Sequence, residues 1–200
     1  MQFFDLSRPI QSGMAVLPGD PAVVLMPTRS HDADGYAVTE VRLGTHSGTH
    51  IDAPRHFFAD GSTLDQFPIE RFVGPALLLD CSRGDPGTHI DGASLAEHIA
   101  RYEALPPGGI ILLRTAGRLL SLEAAQVLAE RQTGMVGSDT ASLDREPYEV
   151  HTLLLGRDIL LLENLWGLEK IEPGPLTCAC LPLPLTGCDG APARVVAWRP

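Results

Sequence analysis

The chain has 200 residues, 44% of them hydrophobic, and a mean hydropathy of +0.06, which suits one soluble domain with a sizeable core. Fifteen basic against twenty-five acidic side chains leave a formal net charge of −10. With no Lys/Arg run to form a basic patch, nucleic acid and anionic membranes are excluded as partners, and no apolar stretch reaches the roughly 18 residues of a membrane span.

The opening residues Met1–Arg8 contain no basic segment followed by an apolar one, so they do not read as a signal peptide, and a cytoplasmic protein is expected. Gln2–Leu6 reads as a strand, Pro18–Pro21 as a turn, and Tyr36–Leu43 as a β-rich run. Ala76–Asp80 reads as a short buried strand. Ser94–Glu103 is periodic as a helix, with Ser94 as its N-cap and Leu95, Ile99 and Tyr102 on one face. Ile110–Leu113 is a second buried strand, Ser121–Gln132 a helix capped by Ser121 and stopped by Gly134, and Met135–Gly137 a third strand. Pro147–Leu155 reads as helical; Ile159–Glu163, Leu176–Leu183 and Arg194–Trp198 read as strands. Buried strands alternating with helices predict a partly parallel, mixed α/β arrangement. Cys81, Cys178, Cys180 and Cys188 are expected as buried thiols, and Tyr148, Trp166 and Trp198 as core aromatics.

The richest segment is His46-Ser-Gly-Thr-His50-Ile-Asp52-Ala-Pro-Arg-His56. Gly44, Gly48 and Pro54 and the β-branched Thr45, Thr49 and Ile51 disfavour a helix here. In an extended strand alternate residues share a side, so His46, His50 and Asp52 are expected to converge. Two imidazoles and a carboxylate suit zinc, and also manganese or iron(II), and leave coordination positions open for water. By position, His56 is either a fourth ligand or an acid/base beside the metal. Taken alone, His151 on a helix reads as an ordinary core or surface residue. Glu163 says more, because a carboxylate ending four aliphatic residues is costly to bury unless paired or metal-bound.

The run His46–Phe57 resembles the signature of the metal-dependent cyclase family, which includes bacterial kynurenine formamidases and isatin hydrolases. The resemblance extends along nearly the whole chain: Pro18–Pro21 is similar to an early loop, Gly137–Asp144 to a glycine–x–aspartate–threonine loop, His151 and Glu163 to a later ligand pair, and Leu181–Leu185 with Asp189–Pro192 to the closing segment. It implies a single-domain swivelling β/β/α fold, with a mixed β-sheet core and flanking helices. It also implies one or two divalent metals, zinc or manganese. By this resemblance His46, His50 and Asp52 hold a first metal. Asp52, His151 and Glu163 hold a second, Asp52 bridging, and His56 is the catalytic acid/base. The implied activity is hydrolysis of a small-molecule amide by an arylformamidase-like enzyme, from N-formylkynurenine to kynurenine and formate. A homodimer whose partner helps close the pocket is expected.

Three departures bear on substrate. Leu17 stands where relatives often carry a pocket aromatic, Arg55 where formamidases often carry an apolar residue, and only five residues separate Thr115 from Ser121 where many relatives have an aromatic-rich insertion. No stacking surface for an aromatic substrate is evident. The short connection favours a second reading, a cyclic amide or lactone hydrolase or a cyclase. A non-catalytic metal-binding protein is a third.

Overall fold

The computed structural model describes residues 1–102 and 105–199. In chain order the elements are β1 (Gln2–Asp5), β2 (Val24–Arg29), α1 (His31–Asp34), β3 (Val38–Arg42), β4 (His50–Asp52), β5 (Val73–Asp80), β6 (His89–Ile90), α2 (Gly92–Ala100), β7 (Ile110–Arg114), β8 (Leu119–Leu120), α3 (Leu122–Glu130), β9 (Met135–Ser138), α4 (Glu149–Leu155), β10 (Leu160–Glu163), β11 (Gly174–Pro182) and β12 (Gly190–Arg199).

Strands β12, β11, β5, β7, β9, β10 and β4 are hydrogen-bonded in that order, and β4 pairs back onto the start of β12. The mixed sheet therefore closes into a barrel, and β1 pairs further along β12. β5, β7, β9 and β10 run parallel to one another, and α2, α3 and α4 lie in the connections between them. Closure leaves few unpaired strand edges.

Side-chain alternation assigns the two faces of the wall. Ala76, Leu78, Ile110, Leu112, Leu160 and Leu162 belong to one buried cluster together with Ile51, Cys178 and Val195 from the antiparallel strands. Their sequence neighbours Leu77, Leu79, Ile111, Leu113 and Leu161 belong to a second, with Leu95, Leu128 and Leu154 from α2, α3 and α4. The first fills the barrel and the second seals the helices onto it. Ile51 points into the barrel, so its neighbours His50 and Asp52 face the helix side.

Several local expectations change. α2 starts at Gly92, because the Asp91 carboxylate accepts the Ser94 N–H at 2.8 Å; Asp91, not Ser94, is the cap. The helix ends at Ala100, and Glu103 lies outside the described residues. Ser121 does cap α3, accepting from the Ala124 N–H at 3.2 Å. β2 was not expected from sequence: both its faces are largely exposed, so no alternation marks it, and Pro27 lies within an irregular register against β3. Cys81, Cys178 and Cys180 are buried free thiols, whereas Cys188 is only partly buried.

Candidate metal centre

The extended strand expected across the histidine cluster is only His50–Asp52. His46 sits in the turn before it, and Pro54–His56 is a 3₁₀ turn after it. The even spacing therefore brings His50 and Asp52 together as reasoned, but His46 arrives by a different route. Gly48 turns the chain at φ +67°, a conformation glycine adopts without strain. At Gly190 a Cβ would lie 2.9 Å from the Ile51 carbonyl and 3.0 Å from the His46 ring, so a bare backbone there makes room for that ring.

Cross-strand register completes the cluster. Glu163 of β10 pairs directly with His50, and Leu161 with Asp52, so Glu163 shares their face. α4 packs over that face and supplies His151. His50 Nε2 lies 3.3 Å from Asp52 Oδ1 and 3.5 Å from Glu163 Oε2. His151 Nε2 lies 3.2 Å from Glu163 Oε1 and 3.9 Å from Asp52 Oδ2. His46 Nδ1 lies 2.7 Å from Asp52 Oδ1. All five residues named from sequence thus meet around Asp52, and His56 stands beside them, its ring centre 4.1 Å from that of His46. Two triads have ligand atoms mutually within 4.8 Å: His50, Asp52 and Glu163, and His46, Asp52 and His56.

His50, Asp52, His151 and Glu163 are all buried, and among the described residues no Lys or Arg pairs with either carboxylate. His50 Nδ1 donates to the Gly48 carbonyl at 2.9 Å, which puts the lone pair of the neutral ring on Nε2. That Nε2 is buried with no hydrogen-bond partner among the described residues, and it faces two carboxylates. An unpartnered imidazole nitrogen aimed at paired carboxylates is the donor set a divalent cation requires. The residues fit such an ion.

The electrostatics agree. Burial opposes charge on His50, but the negative charges of Asp52 and Glu163 overcome it and raise its pKa well above 6.5. His151 behaves alike: burial lowers its pKa, Asp144 and Glu163 raise it further, and it reaches about 10. Burial would raise the pKa of Asp52; the hydrogen bond from His46 and the positive charge of His50 beside it instead hold it far below the carboxylate range. The carboxylates thus stabilise positive charge at the point where a cation would sit. Burial pulls the pKa of His56 below 6.5, against the charge of Asp52.

Two supporting carboxylates carried no assigned role in the sequence reading. Asp144 accepts from His151 Nδ1 and from the Val150 N–H at 2.7 Å, so it orients the ring at the start of α4. Asp189 Oδ2 lies 3.0 Å from His46 Nε2 and 3.4 Å from His56 Nδ1, and Thr45 Oγ1 donates to its other oxygen at 3.0 Å. Both were visible in sequence only as members of loops similar to the family's. A cavity of about 610 Å³ opens onto His46 and His50, lined also by Arg8, Leu17, Asn164 and Trp166. Trp166 is 48% exposed, which corrects its reading as a core aromatic and supplies a stacking surface that the sequence did not reveal.

Residues 4–145 match the model of the family described as putative cyclase. The chain belongs to that family. It is 31% identical over 212 residues to the kynurenine formamidase of Salinibacter ruber, covering 98% of this chain and 97% of that protein. Among solved structures, a potential metal-dependent hydrolase with cyclase activity superposes with a TM-score of 0.82 at 27% identity, covering 100% of this chain and 99% of that one. Isatin hydrolase A of Labrenzia aggregata superposes with a TM-score of 0.89 at 24% identity over 98% of this chain and 93% of its own, which establishes the shared fold.

Proposed function

We propose that this cyclase-family protein is a metal-dependent amide hydrolase of the arylformamidase kind, converting N-formylkynurenine to kynurenine and formate. One structural observation carries the reading: His50 Nε2, buried and without a hydrogen-bond partner among the described residues, faces Asp52 and Glu163 at the wall of an open cavity. The full-length similarity to kynurenine formamidases supplies the reaction class. A purely structural metal site has no need of such a cavity.

His46, His50 and Asp52 would hold one ion, and Asp52, His151 and Glu163 a second, with zinc or manganese accommodated by the nitrogen and oxygen donors. A divalent cation there supplies Lewis acidity towards the amide carbonyl and lowers the pKa of water to roughly 7. His56 serves as the acid/base. Asp189 faces its Nδ1, which leaves Nε2 to take a proton from the attacking water and return it to the departing amine nitrogen. His50, Asp52, His151 and Glu163 are buried, which keeps bulk water from competing for their contacts.

The barrel with helices on one side supports assignment to the swivelling β/β/α architecture. The β2–β3 hairpin leaves Val24, Met26, Val38 and Val41 at least 40% exposed, an apolar surface that supports a homodimer. Light scattering on the purified protein tests that. Three buried free thiols fit a reducing cytoplasm.

The decisive experiment pairs two variants. His56→Ala is expected to retain its metal while turnover falls about 10²- to 10⁴-fold. Loss of metal from that variant would instead make His56 a ligand. Asp52→Ala is expected to release metal; a variant that keeps both metal and activity refutes the site. A second reading, a cyclic amide or lactone hydrolase, is favoured by the short Thr115–Ser121 connection, which Asp139 ties down through bonds from the Thr115 N–H at 2.8 Å and the Ala116 N–H at 3.2 Å. Comparing turnover of N-formylkynurenine with isatin and small lactones separates the two.

A further inference from the structure

The cavity beside the metal centre contains one Lys or Arg among its lining residues, and among the described residues that side chain has no anionic partner. Arg8 lines the cavity together with His46, His50, Asn164 and Trp166. Its guanidinium carbon lies 5.0 Å from the Trp166 ring centre, a cation–π distance. Its Nε is buried with no hydrogen-bond partner, and no ion pair to Arg8 exists among the described residues. Leaving a buried guanidinium donor unpaired costs free energy unless a ligand completes it. The carboxylate side chain on the lining, Asp139, is already engaged by Thr115 and Ala116.

The backbone holds this pair in place. The Arg8 N–H donates to Thr49 Oγ1 at 2.8 Å, and Thr49 Oγ1 donates to the Asn164 carbonyl at 2.7 Å. Thr49 precedes the ligand His50, and Asn164 follows the ligand Glu163. Asn164 has φ +58°, a left-handed conformation asparagine tolerates better than most residues, and it turns the chain after β10. Two residues on, the Trp166 N–H bonds to the Leu6 carbonyl at 3.0 Å. Arg8 and Trp166 are therefore fixed to each other and to both ligand strands.

We propose that Arg8, stacked on Trp166, is the receptor for a substrate carboxylate, so that the enzyme selects aryl amides carrying an anionic group over neutral ones. This rests on the amide-hydrolase reading and adds the substrate class. A guanidinium placed over an indole ring keeps N–H donors in the fork that matches a carboxylate, and Trp166 lines the same cavity beside it.

The test compares N-formylkynurenine, which carries a carboxylate, with ortho-acetylformanilide, which has the same aryl formamide and ketone without it. Arg8→Gln is expected to lower kcat/KM for the first about 10- to 100-fold more than for the second, chiefly through KM, and Arg8→Lys to recover part of the loss. Equal losses on both substrates would mean that Arg8 only packs on Trp166, and would overturn the proposal. Calorimetry with zinc-loaded protein separates this inference from the function beneath it, using kynurenine and ortho-aminoacetophenone as probes. If the protein cleaves neither formamide yet binds kynurenine more tightly in an Arg8-dependent way, the arylformamidase reading fails and the carboxylate site stands. If it binds the two probes alike, or neither, the carboxylate site fails.

Discussion

Replacing Asp144 by asparagine isolates the contribution of one supporting carboxylate. Asp144 uses both oxygens, one for His151 Nδ1 and the other for the Val150 N–H at 2.7 Å. Asparagine has the same shape but one acceptor oxygen. If that oxygen keeps the backbone bond, the amide NH₂ faces His151 Nδ1 and favours the tautomer with its proton on Nε2. Nε2 is the atom 3.2 Å from Glu163 Oε1 and 3.9 Å from Asp52 Oδ2, where a metal requires a lone pair. Metal affinity is expected to fall about 10- to 100-fold, equivalent to about 1.4 to 2.8 kcal/mol. Without metal, the buried His151 cation loses one of its carboxylate partners, a charge-assisted bond of about 1.5 to 3 kcal/mol. For a chain of this size that is a drop in Tm of roughly 3 to 12 °C. Competition with a chelator of known affinity measures the first effect, and calorimetric melting of the stripped protein the second. A dissociation constant within about threefold of wild type, with an unchanged Tm, would falsify the role given to Asp144.

Two further outcomes are expected. Arg114 Nη2 lies 2.6 Å from Asp80 Oδ2, and this hydrogen bond holds the Asp80 carboxyl well below its ordinary pKa of 3.8. A depressed carboxylate pKa adds stability that is present above the unfolded value and lost as the pH falls through the folded one. Asp80→Asn should therefore lower Tm at pH 7 and make little difference in strong acid; because the pair is partly exposed, the effect at neutral pH should stay near 1 kcal/mol, and an equal loss at both pH values would contradict it. Chelating the metal should speed amide exchange in His50–Asp52 and Leu160–Glu163 more than in Ile110–Arg114, because the buried carboxylates of the first two strands lose their counter-charge. Exchange that rises uniformly across the three strands would show that the ion does not brace this part of the barrel.

What the sequence disclosed divides by the range of the interaction. The parallel strands β5, β7, β9 and β10 were readable because each is a short apolar run buried on both faces, and α3 was readable because Ser121 caps it locally. His50 and Asp52 were readable because period-two alternation is a property of three consecutive residues. His46 reached the same point for a non-local reason: Gly190, on β12, leaves space for its ring, and Asp189 binds its outer nitrogen. The same holds for Arg8 and Trp166, 158 positions apart in the numbering and joined through Thr49 and Asn164. β4 explains why so much of the site is non-local. It is three residues long, and it closes the barrel by pairing with β10 on one side and β12 on the other. Each strand it joins brings a different part of the chain to the site: β10 brings Glu163 and the turn to Trp166, while β12 follows directly from Asp189. Placing ligands on the strand that closes the barrel makes the site and the closure one structural event. A substitution that loosens β4 should then be felt as weaker metal binding and as lower stability together.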